Sequence, residues 1–218
     1  MTDITIGDVE RAIRCTTATI LRNQQYFSDL DGVAGDGDFG ASLAAGFRVV
    51  DQEFDTFDRS SIGSLLLKIS MIITRNVGGC SGPIWGTAFM RAAMLTKEKT
   101  AISLAELEQM LSSAIEGIQQ RGGAQLGDKT LLDALIPLRE RLTEQVASGT
   151  DRATALKEAQ AIAENAIEAT KDTQARRGRQ QFVGERSIGS ADPGIVAIAT
   201  ILGDLCDEFG VSRSAVPA

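Results

Sequence analysis

Apolar positions recur three and four residues apart along most of this chain. That spacing predicts helices over 7–27, 40–53, 61–75, 82–96, 103–121, 129–147, 151–173 and 193–209. No segment keeps the strict alternation of a half-buried strand, so the pattern predicts an all-α protein of about eight helices. Several starts carry their own punctuation. Ser103 with Glu106 three residues on spells a capping box, Thr150 or Asp151 precedes the alanine-rich stretch 152–170, and Pro193 follows Asp192 in the manner of a first helical residue. The stretch 174–192 has no apolar period and is rich in Gly, Arg and Ser. It is too long for an ordinary helix connection, which predicts a functional or mobile segment.

Candidate chemistry sits between the helices. Residues 31–42 place Asp31, Asp36 and Asp38 among Gly32, Gly35 and Gly37 at the entry to a helix. Asp36 and Asp38 are two apart, so in an extended loop both carboxylates project to one side, and the glycines let Asp31 fold back onto them. Three adjacent carboxylates repel, and a hard cation ligated by oxygen relieves this; Mg²⁺ takes a few carboxylates and completes its shell with water and phosphate. The plainer reading is a surface turn with solvated carboxylates. A calcium loop counted from Asp36 fails, since position six is Ala41 and position twelve is Phe47. Gly78-Gly79-Cys80-Ser81-Gly82-Pro83 offers free backbone N–H groups at a helix start, an arrangement that cradles phosphate or simply turns the chain. Gly122 to Thr130 almost spells a phosphate-binding loop, but Asp128 interrupts it and the preceding segment is helical. Asp128 in its structural reading is the N-cap of the next helix. Gly178-Arg179 and Gly184 to Gly189 lead into Asp192-Pro193-Gly194, where an arginine can pair with phosphate, the plainer reading being a solvated basic loop in an acidic protein.

Composition narrows the classes. With 218 residues and 43% hydrophobic content, the chain is expected to form one domain over 1–218. A net charge of −7 argues against nucleic acid as a partner. The first residues show neither a basic region nor an apolar one, and no run is long enough for a bilayer. The expectation is a cytoplasmic protein without membrane attachment. Cys15, Cys80 and Cys206 are far apart and odd in number, as reduced thiols would be. There is no histidine, which removes histidine bases, Ser-His-Asp and Cys-His systems, HExxH zinc sites and a phosphohistidine intermediate. Carboxylates, metal and backbone N–H groups remain, an inventory suited to phosphoryl transfer.

Taken in order, the four loops resemble the L subunit of bacterial dihydroxyacetone kinase, over essentially the whole chain. The shared pattern is Asp-x4-Asp-x-Asp, then GG-(S/T/C)-SG-P, then GAxxGDKTxxDALxP, then GRxxxxGERSxGxxDPG. It falls here on Asp31 to Asp38, Gly78 to Pro83, Gly123 to Pro137 and Gly178 to Gly194. The resemblance implies eight antiparallel helices in a closed, barrel-like bundle with the nucleotide site in the loops at one end. It implies ADP or ATP with two Mg²⁺ ions, held by Asp31, Asp36 and Asp38. Phe39, Gly40, Ala41, Ser42, Cys80, Ser81, Gly122, Thr130, Arg179, Asp192 and Pro193 would line the nucleotide, with Arg179 the catalytic candidate. It also implies a K-type subunit that holds the ketose through its own histidine, admits a phosphotransferase-system protein as phosphodonor, and leaves a homodimer open. The pattern departs at Phe39, Ser42 and Ser190-Ala191, where His, Asn and a His-containing pair are frequent, so the phosphodonor and the ketose stay open. Two other readings stand beside this one: the nucleotide domain of another acceptor kinase, such as the fatty-acid kinases, and a regulatory module that senses nucleotide.

Overall fold

The structure, a computed structural model, describes residues 3–214; the two residues before and the four after, the outer ends of the expected 1–218 unit, lie outside it. The α-helices are α1 (Ile6–Arg22), α2 (Gln24–Ala34), α3 (Phe39–Glu53), α4 (Ile62–Asn76), α5 (Ser81–Leu95), α6 (Leu104–Gly122), α7 (Leu132–Ser148), α8 (Arg152–Lys171) and α9 (Pro193–Glu208). The expected first helix is two, because the chain breaks at Asn23, whose side-chain amide donates to the Thr19 carbonyl at 2.8 Å. α1 and α2 follow one another in the same rising limb, so the up-and-down count is the expected eight. The only strands among the described residues are β1 (Ile4–Thr5) and β2 (Ala101–Ile102), paired antiparallel with Ile4 opposite Ile102.

Each limb packs on the next, and α9 returns to pack on α1, which closes the ring. The inward faces carry the apolar stripe of each helix. Ile20, Phe27, Leu43, Phe47, Leu65, Ile69, Ile73 and Ile201 are buried together in one core, and Phe47 meets Trp85 edge-on with centroids 6.3 Å apart. The ring encloses an apolar cavity of about 510 Å³, lined in part by Ile13, Phe47, Phe89, Met110, Leu142 and Ile198. No described helix is long and apolar enough to cross a membrane.

Alternation of direction sorts the connections by end. The stretches 35–38, 77–80, 123–131 and 172–192 emerge at one end, and 54–61, 96–103 and 149–151 at the other. The helix starts differ accordingly. At the far end Thr5, Ser61, Ser103 and Asp151 all accept a backbone N–H with their side chains, and Thr5 with Asp8 and Ser103 with Glu106 complete capping boxes. At the near end α3 and α5 begin at Asp38 and Cys80, whose side chains make no capping bond.

Candidate functional site

Asp31 is not in a loop. It lies on the last turn of α2, buried, and its Oδ2 accepts the Phe39 N–H at 3.3 Å. The chain then turns through Gly35, where an added Cβ would lie 2.1 Å from Asp31 Oδ1, so glycine is what lets the carboxylate point toward the loop. Asp36 and Asp38 are exposed, and one oxygen from each of the three aspartates lies within 4.8 Å of the others. An all-oxygen, mostly solvent-facing set of three carboxylates fits Mg²⁺, which keeps water and phosphate in its shell. Burial pushes the Asp31 carboxyl above its ordinary range against the pull of the Phe39 N–H, with Asp36 and Asp38 adding to the rise. Burial and the Asp36 charge raise Asp38 as well. Bare charge is therefore less favourable at Asp31 and Asp38 than on a free carboxylate.

Phe39 to Ser42 form the first turn of α3. Phe39 packs edge-on against Phe27, centroids 6.3 Å apart. Gly40 is buried at the crossing of α2 and α3, where a Cβ would lie 2.0 Å from the Gln24 carbonyl oxygen. The Ala41 N–H donates to Ser28 Oγ at 3.1 Å, a contact no sequence motif signalled. The second loop abuts this turn: a Cβ on Gly78 would lie 2.9 Å from Ser42 Oγ. Cys80 is exposed and Ser81 half-buried at the open start of α5. The third loop touches α5 through Gly122, where a Cβ would meet Ile84 Cδ1 at 2.9 Å.

In the third loop the structure corrects the role of Asp128. α7 starts later, at Leu132, and Asp128 instead accepts the Gln125 N–H at 2.9 Å and pairs with Arg177 at 3.7 Å. Asp133 organises the turn, its two oxygens accepting from Gly127 N–H at 2.7 Å and Thr130 N–H at 2.8 Å. The Thr130 hydroxyl accepts the Leu132 N–H at 3.2 Å. Lys129 is turned inward and donates to the main-chain carbonyls of Lys171 at the end of α8 and of Thr173 and Ser187 in the fourth loop.

The fourth loop carries local structure that its composition does not signal. Residues Arg179–Ser187 coil into 3₁₀ turns broken at Gly184. Arg179 reaches the first loop, its Nη1 lying 2.6 Å from Asp36 Oδ2. Gln180 beside it is buried with both amide atoms unpaired. Asp192 caps α9 by accepting the Ile195 N–H at 2.9 Å, and Pro193 is the first helical residue, as expected. Burial pushes the Asp192 carboxyl up to about 7, helped by Asp133 and opposed by the Ile195 and Gly194 N–H groups and by Lys129. Contacts thus run from the first loop to the second, from the third to the fourth and from the fourth back to the first, while the end of α6 meets α5 between the second loop and the third.

These loops, in this order, around three clustered carboxylates, coincide with one family. Residues 33–207 match the DAK2 domain. The chain belongs to the DAK2 domain family. It is 38% identical over 174 residues to the Escherichia coli K12 protein named PEP-dependent dihydroxyacetone kinase, ADP-binding subunit DhaL, covering 80% of this chain and 83% of that one. It is 32% identical over 188 residues to the PTS-dependent counterpart of Lactococcus lactis, covering 86% and 90%. Among solved structures, the dihydroxyacetone kinase of C. freundii in complex with AMP-PNP and Mg²⁺ superimposes with a TM-score of 0.71 at 26% identity, over 91% of this chain and 33% of that one. The all-α fold expected from the sequence agrees with both the helices observed and this neighbour.

Proposed function

We propose that this chain is the Mg-nucleotide subunit of a two-component phosphotransferase, passing a phosphoryl group to dihydroxyacetone or a related small ketose held on a separate K-type subunit in the cytoplasm. The observation that carries the reading is the cluster of Asp31, Asp36 and Asp38, reached by Arg179 of the fourth loop, beside the uncapped starts of α3 and α5. The three aspartates would hold two Mg²⁺ ions, which supply charge neutralisation on the phosphate oxygens. Gly40 at the start of α3, and Cys80 and Ser81 at the start of α5, would offer backbone N–H groups to the phosphates, while Phe39, Ala41 and Ser42, whose N–H groups are held by Asp31, Ser28 and Asp38, would line the nucleotide. Gly122, Thr130, Asp192 and Pro193 would close the nucleotide's other side. Arg179 would stabilise the transferred group, its planar fork matching phosphate oxygens.

Similarity to subunits named ADP-binding and PEP- or PTS-dependent supports a nucleotide held as ADP and recharged in place by a phosphotransferase-system protein. The purified chain, mixed with a K-type subunit, dihydroxyacetone and either ATP or a phosphoenolpyruvate-driven donor chain, should yield the ketose phosphate. Asp36→Asn should abolish the product and Mg-dependent ADP binding while leaving helical content intact. Product formation by Asp36→Asn at the parental rate would remove the metal assignment.

A further inference from the structure

We infer that Lys129 is a positioning residue, which pins both ends of the arginine-bearing segment 174–187 so that Arg179 is presented to the Asp31, Asp36 and Asp38 carboxylates. The inference rests on the reading of Arg179 given above. Lys129 is 1% exposed. Its Nζ donates to the carbonyls of Lys171 at 3.0 Å, Thr173 at 2.9 Å and Ser187 at 2.8 Å. Two of those carbonyls lead into the segment and the third closes it, so one ammonium group gathers entry and exit to a single point. An ammonium has three donors and no acceptor, and here each donor has found a carbonyl. A lysine so engaged is unable to serve a phosphate without dismantling the loop, despite its place in a near phosphate-binding motif. Lys129 is also the one described non-glycine residue with positive φ, at 61°. A lysine backbone occupies that region only when surrounding structure compels it.

The rest of the segment depends on the pinned ends. Ser187 Oγ accepts the Ala175 N–H at 2.9 Å and donates to the Gly184 carbonyl at 2.6 Å, and the Gly189 N–H returns to the Lys171 carbonyl at 2.8 Å. Between these ties the chain passes through Gly178 at φ 70° to Arg179, whose side chain is more than half exposed and is fixed only at its tip, by Asp36. Lys129 touches neither the aspartates nor that tip, and it acts on the site only by fixing where the arginine's backbone starts.

The test compares the parent with Lys129→Met, Ser187→Ala, Arg179→Ala and the Lys129→Met/Arg179→Ala double variant, all as full chains. Amide exchange over 174–189 should accelerate by about tenfold or more in Lys129→Met, with the other helices unchanged. With the reconstituted K-type subunit, kcat should fall by roughly a hundredfold, the scale of a small misplacement of a reacting group, while the Kd for Mg-ADP moves by less than about threefold. The double variant should be no slower than Arg179→Ala alone, because both changes remove the same interaction. If Lys129→Met does not fold, Ser187→Ala carries the exchange and kcat measurements with the same expectations. A Kd for Mg-ADP that rises in step with the kcat loss would make Lys129 a phosphate ligand and overturn the inference. Additive losses in the double variant, or faster exchange with parental kcat, would reduce it to a structural residue. If the parent itself transfers no phosphoryl group, the functional reading fails, and unchanged exchange in Lys129→Met would then separately refute the pinning.

Discussion

Arg179 and Asp36 pair at 2.6 Å, so a guanidinium stands beside a carboxylate proposed above to hold a divalent ion. An ion binding there would compete with that charge. Removing it should therefore tighten binding of Mn²⁺ or Mg²⁺ without nucleotide. The pair is solvent-exposed and worth at most about 1 kcal/mol, so Arg179→Gln should gain up to about fivefold in metal affinity. Phosphoryl transfer should fall in the same variant. Titration by Mn²⁺ paramagnetic resonance checks this, and equal affinities in parent and variant would refute the competition. A second residue-scale outcome concerns Gly40, where a Cβ would press on the backbone carbonyl of Gln24 at 2.0 Å. Backbone yields less readily than a flexible side chain, so Gly40→Ala should cost about 1–3 kcal/mol in denaturant unfolding. It should also weaken Mg-ADP binding, since α3 would be pushed away from Asp31. Retention of parental stability would show that the α2–α3 crossing is looser than its geometry indicates.

At the level of elements, the far-end caps do the local work that keeps helices in register. Glu106 closes the α6 capping box and pairs with Lys99 at 2.6 Å. The Lys99 hydrogen bond first, and the Ser103 N–H and hydroxyl next, hold its carboxyl down from 4.5 to about 2. A carboxyl lowered on folding contributes stability that is present above the unfolded value and lost as pH falls toward the folded one. Melting temperature should therefore drop between about pH 5 and pH 2, and Glu106→Gln should flatten part of that slope. Identical pH profiles for parent and variant would mean that the pair contributes nothing. The near-end starts of α3 and α5 carry no such caps, and the difference between the ends is visible in sequence only in part. Ser103, Asp151 and Asp192 are legible as caps because each bonds a backbone N–H within three residues. The helical setting of Asp31 was not legible, because Gly32 and Gly35 around it read as loop, while burial of Phe27 and Ala34 extends the helix through that stretch.

On the scale of the whole molecule, the ring brings the site loops together, and ligand binding should stabilise the ring in return. A ligand that binds only the folded state at a hundredfold excess over its Kd adds about 2.7 kcal/mol. For a chain of this size that corresponds to a rise of roughly 5–10 °C in melting temperature. Mg-ADP should produce it, and Mg²⁺ or ADP alone should produce less, because the carboxylates repel a nucleotide without the cation and the cation lacks its phosphate ligands without the nucleotide. Calorimetric scans at fixed protein concentration decide the matter, and an unchanged transition with saturating Mg-ADP would count against the site.

The sequence by itself determined most of the helical segments, where most of them begin, and that three aspartates fall within eight residues. Those features depend on side chains acting on neighbours a turn or two away, and hydrophobic period and cap chemistry record such interactions directly. Tertiary structure decided which loops meet. Lys129 bonds carbonyls 42 to 58 residues along the chain, and Arg179 finds Asp36 where the ring closes on itself. Asp133 rather than Asp128 organises the start of α7, because the main chain turns left-handed at Lys129 in order to bury its ammonium. None of these pairings leaves a periodic mark in the sequence, since each is fixed by where the alternating helices deliver the chain.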